Sequence, residues 1–144
     1  MSHITQVIVT IKTGNAPGAD ADGPVYLGLG PREYRLDKNG NKFKKGTTDE
    51  FILGNLDPAG KGNVKNPNEN DPRNPITLEV TELEKAPYAV YIAYESGIKW
   101  MVEDVQVRVQ GPSLDETFQV RDTINAPGIW LGQEFGKFLY LQYD

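Results

Sequence analysis

The chain has 144 residues, 38% hydrophobic and 10% aromatic, enough for one domain to bury a core without covalent staples. It has no cysteine, which excludes a disulfide framework, a thiol nucleophile and thiolate metal sites. A formal charge of −5 is the wrong sign for a chain whose main partner is nucleic acid.

The dominant periodicity is two. In "ITQVIVTIK" Val7, Val9 and Ile11 alternate with Thr10 and Lys12, as in a half-buried strand. "PVYLGL" predicts a second strand, "YRL" a short continuation, and "DEFIL" a third. Between them, "LDKNGNKF" reads as a hairpin connection with Asn39-Gly40 at its tip. In "ITLEVTEL" Ile76, Leu78 and Val80 face one way, Thr77, Glu79 and Thr81 the other. "YAVYIAYE" and "WMVEDVQVRV" follow, the latter with Val105, Val107 and Val109 in phase; "TFQV" and "KFLYLQYD" complete eight or nine strands. Phe43, Phe51, Ile76, Leu78, Val80, Val105 and Val107 are the expected core.

Short strands broken by turns, with 15 glycines and 10 prolines, predict an all-β antiparallel sandwich or barrel. One stretch breaks the rhythm. Residues 54–75, "GNLDPAGKGNVKNPNENDPRNP", are polar and rich in proline and asparagine. They predict a long surface excursion or a disordered loop, protease-sensitive and tolerant of shortening, inserted in a single domain spanning 1–144.

Catalysis is poorly provided for. His3, the one histidine, sits at a terminus expected to fray, which effectively excludes a Ser–His–Asp triad, and neither a phosphate-cradling loop nor zinc spacing is present. The chain is expected not to be an enzyme. No apolar run is long enough to span a membrane. The first residues lack the pattern of a secretory signal, which leaves the expected location as cytoplasmic or unknown.

Two loops hold the candidate chemistry. Asp20 and Asp22 sit together in "TGNAPGADADG", and Asp37, Asn39 and Asn41 in "DKNGN". Carboxylates, amides and carbonyls turned inward by glycines are the hard oxygen donors that calcium takes. The alternative is a pair of soluble turns. Trp100, Trp130, Leu131 and Phe135 are candidate contacts for a lipid surface or partner, and either Trp also fits a core.

Together these stretches resemble the PLAT domain, a family found in lipoxygenases, lipases, polycystins and clostridial alpha-toxin. The family's Thr-Gly step matches Thr13 and Gly14, and its loop matches Gly18, Ala19 and Asp22 before Val25-Tyr26. "FKKGTTDEFIL" is similar to its Phe-x-x-Gly-x-x-Asp-x-Phe signature through Phe43, Gly46, Asp49 and Phe51. Trp100, Val105 and Val107 match a later strand opened by Trp, all in the family's order.

The resemblance implies a β-sandwich of two four-stranded sheets. It also implies a non-catalytic docking module for a lipid surface or protein partner, assisted by calcium at one end. The metal set it points to is Gly14, Asp20, Asp22, Asn39 and Asn41. Calcium-binding members commonly carry Asn-Asp before the signature Phe; this chain has Asn41 and Lys42, then Lys44 after it. The Lys42 ammonium is therefore a second candidate cation for Asp20 and Asp22. Two other classes stay open: a carbohydrate-binding sandwich with exposed Trp130 or tyrosines, and a small enzyme or accessory subunit using acidic residues.

Overall fold

The computed structural model describes residues 3–55, 60–78, 90–120 and 128–143. Its strands form two antiparallel sheets packed face to face, and the described residues include no helix. The first sheet contains β1 (Gln6–Thr13), β4 (Thr48–Gly54), β6 (Trp100–Gly111) and β7 (Leu114–Gln119), in the order β7-β6-β1-β4. Two short strands extend it: β10 (Gln142–Tyr143) beside β7, and β8 (Ile129–Leu131) beside the start of β6. The second sheet runs β3-β2-β5-β9, from β2 (Val25–Leu29), β3 (Arg32–Arg35), β5 (Val90–Tyr94) and β9 (Phe138–Tyr140). The all-β sandwich expected from the two-residue periodicity is the fold.

Alternation does the sorting. Val7, Val9 and Ile11 pair across the ladder with Val109, Val107 and Val105, all fully buried. Leu27, Tyr34 and Ile92 face them from the second sheet, also fully buried. Each large apolar side chain removed from water contributes about 1.5–3 kcal/mol, so register is strongly fixed.

Three sequence expectations need correction. "YRL" does not continue β2. A two-residue turn at Gly30-Pro31, with Gly30 at φ 55°, folds β3 back so that Leu29 pairs with Arg32. "LDKNGNKF" is not a hairpin, because β3 and β4 belong to different sheets. It crosses between them, anchored by buried Leu36 and Phe43, with Asn39-Gly40 at an exposed bend. Ile76, expected in the core, is 77% exposed; residues 76–78 are not strand, although Leu78 is buried. Leu78 is fixed by backbone bonds, accepting from Ile4 and donating to Pro72. Val80 lies outside the described residues.

The polar stretch at 60–75 is packed. β4 is an edge strand whose unpaired groups invite another strand. Asn63 answers them: its Oδ1 accepts the Ile52 N–H at 2.7 Å, its Nδ2 donates to the Glu50 carbonyl, and its N–H donates to the Ile52 carbonyl. Gly62 lies so close that a Cβ there would stand 1.7 Å from the Ile52 oxygen. Val64 enters the core. Further on, the Asn70 Oδ1 accepts the Arg35 N–H at 2.7 Å, on β3, the edge of the other sheet. The segment is a clasp over both edges.

Candidate functional site

Four loops meet at one end of the sandwich: 14–24, 36–47, 95–99 and 132–137. The residues that carry the resemblance hold them together. The Trp100 indole N–H donates to Thr13 Oγ1 at 3.1 Å, both side chains buried. Gly14 donates to the Met101 carbonyl, and its own carbonyl accepts from Gly46. Ala19, fully buried, receives the Met101 N–H on its carbonyl. Phe43 stacks on Phe51 with centroids 5.3 Å apart and meets Trp100 edge-on at 5.1 Å.

The expected metal set is only partly assembled. Asp20 and Asp22 are exposed around one shallow depression, with Gly18, Lys44, Lys45 and Ile98. Asp22 also borders a second, with Asp37, Asn41, Arg35 and Lys42. Asn39 is exposed and borders neither, and the Gly14 carbonyl is already bonded to Gly46.

Lysines stand near Asp20 and pair with Asp37. Asp20 Oδ1 accepts the Lys45 N–H at 2.5 Å, and its Oδ2 lies 4.0 Å from Lys44 Nζ. Lys42 pairs not with Asp20 or Asp22 but with Asp37, at 2.8 Å. Arg35 and Lys65 each approach Asp37 to 3.9 Å. Burial alone would raise the Asp37 pKa, but Lys42, then Lys65 and Arg35, outweigh it and hold the carboxyl below its ordinary range. Among the described residues no three acids or histidines converge as a metal cluster. Positive charge stands where a divalent ion would sit: Lys44 lies 4.0 Å from Asp20, and Lys42 and Arg35 line the depression that Asp22 borders.

The expected contact residues divide. Trp100 and Leu131 are buried and present nothing to a surface, Trp100 because it fills the centre of the aromatic cluster. Phe135 is 51% exposed, and Trp130, half-buried, lies 6.3 Å from it with Lys99 Nζ 4.3 Å above its ring. Ile98 was missed, and it is 55% exposed. Its signal was an isolated apolar residue at the tip of "ESGIK", between Gly97 and Lys99. The two tips are neighbours: a Cβ on Gly97 would meet Gln133, and one on Gly132 would meet Lys99. Across the four loops six lysines outnumber five acids, in a chain whose formal charge is −5.

Solved structures share this architecture. Alpha toxin from Clostridium absonum superposes with a TM-score of 0.59 at 20% identity, over 98% of this chain and 32% of that one. A LOX in complex with arachidonate gives 0.54 at 12% identity, over 96% of this chain and 16% of that one. The fold is PLAT-like. No protein-family model and no curated protein matches the chain. The PLAT-like domain thus corresponds to about a third of the toxin chain and a sixth of the LOX chain. No helix among the described residues is long and apolar enough to cross a membrane.

Proposed function

We propose that this PLAT-like sandwich is a non-catalytic docking module that settles on an anionic lipid surface through its four-loop end. Two half-exposed apolar tips, Ile98 and Phe135, stand beside Lys44, Lys45 and Lys99 at that end; this juxtaposition carries the proposal. The tips enter the headgroup region, and each lysine held near an anionic leaflet adds about 1 kcal/mol of attraction. Its own ammonium groups take the place of a bridging calcium ion, a reading supported by the pairing of Lys42 with Asp37 and the approach of Lys44 Nζ to Asp20.

Co-sedimentation with phosphatidylserine-containing and pure phosphatidylcholine vesicles, each with calcium and with chelator, tests this. Binding should require the anionic lipid, ignore calcium, and fall with Phe135→Asp, Ile98→Asp or Lys44→Glu. Binding that depends on calcium would return Asp20 and Asp22 to the role of metal ligands. No binding to either vesicle would move the function to a protein partner.

A further inference from the structure

The outer faces of the two sheets differ. The first sheet turns a polar, ion-paired surface to solvent, with Lys12 bridged to Glu103 and Arg108 to Asp115. The second turns aromatic rings outward. One cross-strand row, read from β3 to β9, is Glu33, Gly28, Tyr91, Tyr140. The row beside it is Arg35, Tyr26, Ala93, Phe138.

Glycine and alanine make this face a platform. A Cβ on Gly28 would stand 2.2 Å from the Tyr91 ring, so that ring lies across the glycine toward β3. Its hydroxyl donates to Glu33 Oε2 there, which fixes it. Phe138 and Tyr140 flank it at 5.2 and 5.7 Å, 44% and 47% exposed. The Arg35 guanidinium sits 5.8 Å over the Tyr26 ring.

Rings on a four-stranded sheet can stack nucleobases, a protein partner or sugars. Nucleobases bring phosphates, and this face carries one glutamate against one arginine in an acidic chain. A protein partner needs about 800 Å² on each side. Aromatic side chains bury roughly 150–250 Å² each when fully covered, so four rings that are only partly exposed fall short. A sugar chain is neutral, narrow, apolar on its ring faces and rich in hydroxyls at its edges. Half-exposed rings bordered by a carboxylate, a guanidinium and phenol hydroxyls complement that chemistry.

We propose that the outer face of β3-β2-β5-β9 binds a neutral oligosaccharide, its sugar rings lying on Tyr91, Phe138 and Tyr140. This site is separate from the loop end, so one chain engages a glycan and a lipid surface independently.

Titration calorimetry with cellohexaose, xylohexaose, mannohexaose and maltohexaose tests it. At least one should bind, and Phe138→Ala and Tyr140→Ala should each weaken that binding about tenfold or more. Tyr140→Phe keeps the ring and should retain most of it. Vesicle binding and the thermal midpoint should be unchanged in all three variants, whereas Phe135→Asp should leave the glycan isotherm intact. Failure of all four hexasaccharides overturns the proposal, as does tighter binding of oligothymidylate or dimerisation through Phe138 and Tyr140.

Discussion

Asp49 Oδ2 accepts the N–H of Phe43 at 2.8 Å, and both residues are buried. Phe43 has φ 57°, a left-handed conformation that a bulky residue adopts only when its surroundings compel it. The carboxylate supplies that compulsion, and Phe51 and Trp100 hold the ring from either side. Asp49→Ala leaves a buried donor unsatisfied and should cost about 1–3 kcal/mol in urea denaturation. Asp49→Asn keeps an acceptor and should recover part of the loss. Equal losses in both variants would mean that charge, not the hydrogen bond, holds Phe43.

Leu78 and Ile76 were expected to be equivalent, and the structure separates them. Leu78→Ala should cost about 2–5 kcal/mol, as deletion of a buried leucine does. Ile76→Ala, at a position 77% exposed, should change stability by no more than about 0.5 kcal/mol. Comparable losses at the two sites would place residue 76 back in the core.

The clasp at 60–75 reverses the expectation that shortening is harmless. Removing residues 62–70 uncovers the β4 edge at Ile52 and the β3 edge at Arg35. The shortened chain should aggregate or melt earlier, because open edges pair with other chains. Arg73→Ala is the gentler variant. Its guanidinium binds Asp71 twice at 2.8–3.0 Å and donates to the Asn55 and Gly60 carbonyls. Loss of these charged hydrogen bonds should cost about 1.5–3 kcal/mol. Tryptic cleavage at Lys61 and Lys65 should accelerate with it.

Asp37 predicts a pH dependence. Its pKa is lower folded than unfolded, so its pairing stabilises the protein fully above the ordinary carboxylate value. That contribution is lost as pH falls through the depressed folded value. The stability difference between wild type and Asp37→Asn should therefore be largest near neutrality and vanish in strong acid. A pH-independent difference in parallel denaturation curves would show that the Lys42 pair adds nothing.

The fold was legible because its signal is local. Val7, Val9, Ile11, Val105, Val107 and Val109 announce the central ladder by alternation alone. β8 was not legible, since three residues between glycines show no period, and neither was the clasp, whose bonds run from Asn63 and Asn70 to distant backbone. Thr13, Gly14, Phe43, Gly46 and Asp49 carry the resemblance, and in the structure they fasten loops to one another. The pattern Asp-x-Asp around Ala21 suggested a cation; the lysine that approaches Asp20 is Lys44, not Lys42, and Lys45 adds only its backbone N–H. Which lysine reaches which acid depends on how β3 hands over to β4, and spacing along the chain does not encode that crossing.

The two tryptophans give the molecule two built-in optical reporters. Trp100, sealed beneath Phe43 and Tyr94, should emit in the blue and shift red only when the sandwich opens. Trp130, half-buried under the Lys99 ammonium, should respond to whatever approaches the loop end while the chain stays folded. Trp130→Phe leaves a single-tryptophan protein for unfolding, and Trp100→Phe leaves one for docking, so the two events can be timed separately in one cuvette.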